Sequence, residues 1–167
     1  MVEDQETREL LVIWHSRTGA SEAMAHAAWR GASEEGNASI IAVEDAGPAD
    51  FIRASAYLFV CPENLGSMSG ATKEMFDRCY YPLLGQIEGR AYGSIIAAGS
   101  DGQGAQQQLD RIVKGWRLRR VTEPFIANFD AQTPEDILAT KRVGDPVLAH
   151  CDAIGKSLAA GLGMGLY

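Results

Sequence analysis

At 167 residues with 46% hydrophobic side chains, the chain is sized for one domain with a substantial core. A formal charge of −7 and a pI near 4.9 exclude nucleic acid as a main partner, because a phosphate backbone requires a basic face. No apolar run is long enough for a membrane span, no secretory signal opens the chain, and the three scattered cysteines, Cys61, Cys79 and Cys151, form no CxxC pair. The expectation is a cytoplasmic protein with reduced thiols packed as small hydrophobes. Glu3, Asp4, Glu6 and Glu9 crowd the start, so residues 1–9 read as a frayed lead-in and residues 1–167 as a single domain.

Strands alternate with helices along the chain. Residues 10–16 are a nearly continuous apolar run, the pattern of a strand buried on both faces. Residues 18–35 predict a helix with a small-residue face, Ala20, Ala23, Met24, Ala27, Ala28, Gly31 and Ala32, suited to close packing. Residues 39–43 form a second strand, and Pro48 sits where a first helical residue should be. Residues 56–61 form a third strand, ended by Pro62. A helix follows with Ala71, Met75, Cys79 and Leu83 in register, closed or kinked by Pro82. Residues 92–98 form a fourth strand, followed by a helix aligning Ala105, Leu109, Ile112, Val113 and Trp116. Residues 121–127 form a weaker fifth strand, whose Pro124 points to a sheet edge. Helices start again at Thr133-Pro134 and Asp145-Pro146, and the last carries Val147, Cys151, Ile154, Leu158 and Leu162 on one face. Helical crossovers between five strands imply an α/β three-layer sandwich with a parallel sheet. Five strands and this length favour the order 2-1-3-4-5 over a six-stranded dinucleotide fold.

In that order the loops after strands one, three and four meet at one crevice. They are also the stretches rich in Gly, Ser, Thr and Asn: residues 15–21, 62–70 and 99–104. The first leads into a helix, whose unpaired N–H groups and dipole suit a phosphate, with hydroxyls from Ser16, Thr18 and Ser21. Alone, the stretch reads equally well as a capped strand–helix turn. The coincidence of all three loops favours a ligand site. The other two loops would wall a slot for a flat heterocycle, with glycine allowing close approach and Asn64, Ser69, Ser100 and Asp101 free to bond a ring edge.

Ser16-Arg17-Thr18-Gly19-Ala20-Ser21 resembles the S-x-T-G-x-T phosphate loop of flavodoxins, with Ser21 in place of the usual Thr. Residues 62–71, continuing to Phe76-Asp77-Arg78, resemble the second loop of the flavodoxin-like NAD(P)H-dependent FMN reductases and quinone reductases; residues 98–102 with Gly104-Ala105 resemble their third. The resemblance spans about residues 10–127 and implies a flavodoxin-like fold. It implies that Ser16, Arg17, Thr18, Gly19, Ala20 and Ser21 hold an FMN phosphate. It places Pro62, Glu63, Asn64, Leu65, Gly66 and Met68 on one side of the isoalloxazine, and Gly99, Ser100, Asp101 and Gly102 on the other. The activity implied is electron transfer from NADH or NADPH through FMN to a quinone, a flavin or a similar small acceptor, with the chemistry carried by the cofactor and no catalytic side chain. A homodimer is the expectation by analogy. The second and third loops lack the aromatics that flavodoxins stack on their flavin, which leaves an open ring face suited to a reductase. The alternatives are an FMN electron-transfer protein without NAD(P)H activity and a cofactor-free interaction domain.

Other residues carry plainer readings. His15 reads as a strand-end histidine bonded to backbone ahead of a phosphate donor, and His26 and His150 lack the neighbours of a metal site. Arg117, Arg119 and Arg120 read as a solvated face. Residues 161–167 read as a frayed tail, or as a surface packed on a second subunit.

Overall fold

A computed structural model describes residues 8–167, so residues 1–7 of the expected lead-in lie outside the described residues. The elements are β1 (Glu9–Trp14), α1 (Ala20–Glu35), β2 (Asn37–Ala42), α2 (Pro48–Arg53), β3 (Ala56–Asn64), β4 (Ser67–Met68), α3 (Gly70–Leu83), β5 (Ala91–Ala98), α4 (Gln103–Gly115), β6 (Arg119–Arg120), β7 (Phe125–Asn128), α5 (Pro134–Leu138) and α6 (Asp145–Gly163). Glu9 is not frayed. It opens β1, and its carboxylate accepts from the Ser39 hydroxyl and, at 3.2 Å, from Arg53 Nε.

The sheet runs β2-β1-β3-β5-β6, with β7 continuing the β6 edge along β5, all parallel. This is the expected 2-1-3-4-5 order, with β5 as the fourth strand. Side chains alternate across the sheet, so Leu10 and Val12 of β1 pack beneath α1 and α6 while Leu11 and Ile13 pack beneath α2, α3 and α4. Both faces are covered, which is why the strands read as unbroken apolar runs.

The small-residue face of α1 serves a close helix–helix contact. A Cβ on Gly155 of α6 would lie 1.9 Å from the Ala28 carbonyl oxygen, and one on Gly31 would lie 2.2 Å from that of Asp152. The other layer is filled by aromatics instead: Phe76 meets Phe59 at 5.1 Å and Trp116 at 5.0 Å between ring centroids.

Four further expectations need correction. Strand three does not stop at Pro62; β3 continues to Asn64, because Pro62 sits in register with Ala97 and its carbonyl accepts from Ser69 N–H. The fifth strand is two short pieces, β6 and β7, separated around Pro124, which has no donor for the β5 edge. Arg120 is not a solvated charge: it pairs with Asp110 at 2.5 Å, donates to the Ser94 hydroxyl and lies over the Tyr92 ring. Burial opposes ionisation of Asp110, but its bonds from Arg120, Tyr92 and Gln106 outweigh that and hold its pKa below the ordinary carboxylate value. The C-terminal tail folds back, with Tyr167 Oη donating to the carbonyls of Leu158 at 3.0 Å and Ser157 at 3.2 Å. All three cysteines are buried and free.

Candidate functional site

The loops after β1, β3 and β5 enclose a cleft of about 610 Å³ at the C-terminal ends of the strands. Of the sequence-predicted residues, Ser16, Arg17, Thr18, Ala20, Ser21, Pro62, Glu63, Asn64, Leu65, Gly66, Gly99 and Ser100 line it. Gly19, Met68, Asp101 and Gly102 do not.

The first loop turns sharply into α1. Gly19 has φ +97°, a conformation that side chains rarely adopt, and its N–H donates to Ser16 Oγ at 3.1 Å. The first intrahelical bond runs from Ala23 N–H to Gly19, so the amides of residues 20–22 precede the ladder, and no side chain caps this end. Ser21 Oγ is buried without a hydrogen-bond partner, an arrangement that costs free energy unless something else fills it. Arg17 is exposed at the rim.

The second loop is a hairpin. β3 pairs antiparallel with β4, Glu63 opposite Met68 and Asn64 opposite Ser67. Leu65 and Gly66 form its two-residue tip at φ +53° and +73°, the handedness that matches strand twist. Asn-Leu-Gly conceals that turn, since a leucine at positive φ is uncommon. Leu65 is fully exposed beside the cleft. Met68 faces inward, buried, with its N–H on Gln108 Oε1 at 2.7 Å; this is why it misses the cleft.

Glu63 ties the hairpin to the third loop. Its carboxylate accepts from Gly102 N–H at 2.9 Å and Ala105 N–H at 3.0 Å, filling the N-terminus of α4. The two helix N-termini at this cleft therefore differ: that of α4 is capped by the chain itself, and that of α1 is open. Gly99 lines the cleft, whereas Gly102 and Gly104 serve internal packing. A Cβ on Gly102 would lie 2.5 Å from Ile126 Cγ2, and one on Gly104 would lie 2.0 Å from the Gly66 carbonyl oxygen. Asp101 is exposed outside the cleft.

One wall was not legible in the sequence. Phe129, Ala131, Ile137, Leu138 and Lys141, from the residue after β7 to the segment after α5, also line the cleft. Backbone bonds hold this wall in place: Phe129 N–H to Ala98 O and Ala131 N–H to Gly99 O, each 2.8 Å, and Lys141 N–H to Thr18 O at 2.7 Å. The Lys141 ammonium closes α5 on the carbonyls of Asp136, Ile137 and Ala139. Phe129 gives the cleft the aromatic that the second and third loops lack. The signal available was the capped start at Thr133-Pro134, which marks a helix but not its position.

His15 is not bonded to backbone through its ring, nor does it line the cleft. Its Nδ1 lies 2.7 Å from Ser69 Oγ and its Nε2 3.5 Å from Glu44. Ser69, expected at a ring edge, is fully buried in this contact and in one with Thr72. Burial lowers the His15 pKa; Glu44 opposes and Arg17 assists that shift.

A strand-order switch with a cleft of this shape defines a flavodoxin-like fold. An archaeal flavodoxin shares it at TM-score 0.76 and 14% identity, over 93% of this chain and 99% of its own. A flavodoxin, WrbA-like protein from Agrobacterium tumefaciens matches at TM-score 0.75 and 19% identity, over 95% and 99%. The Flv1 flavodiiron core from Synechocystis matches at TM-score 0.77 and 16% identity, over 96% of this chain and 37% of its own. No curated protein matches the sequence. The sequence model of the NADPH-dependent FMN reductases matches residues 49–132, and the chain belongs to that family. It is an FMN-binding flavoprotein oxidoreductase of flavodoxin-like fold. Among the described residues no helix is long and apolar enough to cross a membrane.

Proposed function

We propose that the protein binds FMN with its phosphate at the N-terminus of α1 and passes electrons from NADH or NADPH to a quinone, a flavin or a similar small acceptor. The observation that carries the reading is the contrast between the two helix N-termini. Glu63 occupies that of α4, while that of α1 is uncapped beside the unpartnered Ser21 hydroxyl. The donor set fits a phosphate: amides of residues 20–22, the hydroxyls of Ser16, Thr18 and Ser21, and the Arg17 guanidinium at the rim.

When bound, FMN supplies the two-electron chemistry. The chain's residues bind and orient. Pro62 to Gly66 form one wall, Gly99 and Ser100 a second, and Phe129 with Leu138 a third. The carboxylate of Glu63 and the ammonium of Lys141 spend their hydrogen bonds on backbone groups within the chain. A flat ring fits between these three walls. Residues 1–167 act as one FMN-binding domain, with a homodimer and a cytoplasmic location as parts of the same reading.

The test is an absorption spectrum with and without added FMN, followed by NADH and NADPH oxidation in the presence of a quinone. Flavin bands with turnover support the reading; a protein that binds no FMN overturns it. Phe129 favours a second reading, an electron carrier, because an aromatic wall is what such proteins place on their flavin. FMN binding without pyridine-nucleotide oxidation would select it.

A further inference from the structure

Behind the cleft, polar side chains from separate segments form one line. Glu44 meets His15 Nε2 at 3.5 Å, His15 Nδ1 meets Ser69 Oγ at 2.7 Å, and Ser69 Oγ meets Thr72 Oγ1 at 2.8 Å. His15, Ser69 and Thr72 are buried, whereas the Glu44 side chain is 57% exposed. The line crosses between the two loops that matter most. His15 directly precedes the phosphate loop, and its own N–H is fixed to Val60 O at 3.0 Å. Ser69 closes the base of the hairpin, its N–H donating to Pro62 O at 3.1 Å.

Proton counting gives this line two states. With His15 neutral and Nε2–H turned to Glu44, the Ser69 hydroxyl donates to Nδ1 and the Thr72 hydroxyl donates to Ser69. With His15 protonated, Nδ1–H donates to Ser69, so Ser69 must turn and donate to Thr72. Protonation reverses the hydroxyl chain and makes the bond across the two loops charge-assisted. It also sets a positive charge one residue from the phosphate loop. The charged groups acting on His15 are Glu44 and Arg17; the hairpin base and the first turn of α3 meet it through Ser69, backed by Thr72.

We propose that His15 is a pH-sensitive positioning residue: its link to Ser69 fixes the β3–β4 hairpin against the phosphate loop, and its protonation tightens FMN binding. This rests on the FMN reading above. By linkage, a bound phosphate raises the pKa that burial lowers, so FMN affinity rises as pH falls through the His15 titration.

The experiment measures FMN Kd by flavin fluorescence from pH 8 to 5.5 for the wild type, His15→Asn and His15→Leu, and follows backbone amides of residues 63–68 by NMR in FMN-free wild type. The second ionisation of free FMN, near pH 6, is common to all three titrations and cancels in their ratios. Asn keeps an acceptor for the Ser69 hydroxyl but carries no charge. His15→Asn is expected to match wild type at pH 8 and to fall behind it by on the order of threefold at pH 5.5, the scale of one charge at partly screened distance. His15→Leu is expected to bind more weakly throughout, and the hairpin amides to titrate with the His15 ring. A wild-type to Asn ratio that stays flat with pH, or hairpin amides that ignore the His15 titration, overturns the proposal while leaving FMN binding intact. Wild type that binds no FMN overturns the cofactor reading and with it the affinity claim.

Discussion

Glu63 holds Gly102. The carboxylate accepts from the Gly102 amide at 2.9 Å and from Ala105 at 3.0 Å, so the hairpin that walls the cleft is pinned to the N-terminus of α4 by one side chain. A charged acceptor at a helix N-terminus combines two hydrogen bonds with a favourable dipole interaction. Glu63→Gln keeps one acceptor and loses the charge. It should cost about 1–2 kcal/mol in urea unfolding and should weaken FMN binding through the displaced hairpin. Unchanged stability with unchanged affinity would show that the contact is incidental.

Gly104 is the close approach beneath that pin. A Cβ there would lie 2.0 Å from the Gly66 carbonyl oxygen, a backbone atom that cannot swing away alone. Gly104→Ala should destabilise by about 1–3 kcal/mol and move the hairpin. Gly155→Ala should destabilise comparably, since its Cβ would meet the Ala28 carbonyl oxygen at 1.9 Å between α1 and α6. FMN titration of the folded fraction separates the two: affinity should fall for Gly104→Ala and hold for Gly155→Ala.

Ser21 and Thr18 should respond differently. Ser21 Oγ is buried and unpartnered, so Ser21→Ala should stabilise the FMN-free protein by about 1 kcal/mol while weakening FMN binding. Opposite signs in thermal unfolding and in Kd are the expected signature. Thr18→Val should weaken FMN binding by roughly 1–2 kcal/mol through a lost hydroxyl donor. A Ser21→Ala protein that is less stable without FMN would contradict the reading of that hydroxyl as a site held open.

Alkaline pH should unfold the protein through its core. Burial pushes Cys61 and Cys151 from 9.0 up to about 12, and Tyr57 from 10.0 up to about 12. For Tyr92, burial and the bond to Asp110 raise the phenol likewise to about 12. A pKa raised on folding gives stability that is complete below the unfolded value and is lost as pH climbs toward the folded one. Stability should therefore be level below pH 9 on account of these groups and fall between pH 9 and 12. Cys61→Ala and Cys151→Ala should flatten that fall in urea titrations against pH.

Much of the fold was legible because the burial is two-sided. β1, β3 and β5 are covered on both faces, so their apolar runs stand out, and the alanine face of α1 announces the close contact with α6. The fifth strand was legible as an edge but not as two pieces, since the break depends on how Arg120, Asp110 and Thr122 fill the gap beside β5. For the cleft, local motifs located the phosphate loop and the hairpin. They could not separate Ser21, which lines it, from Ser69, which is consumed by His15, because that difference lies in which way each side chain faces. The wall from Phe129 to Lys141 arises from bonds to Ala98, Gly99 and Thr18, all distant in sequence.

The central claim is that the open N-terminus of α1 is a phosphate clamp. Its most direct test compares FMN with riboflavin, which lacks only the phosphate, in parallel fluorescence titrations of wild type and Ser21→Ala. The account predicts that wild type binds FMN far more tightly than riboflavin and that Ser21→Ala narrows the gap by weakening FMN alone. Equal affinity for the two flavins, or an equal loss for both in Ser21→Ala, would contradict it.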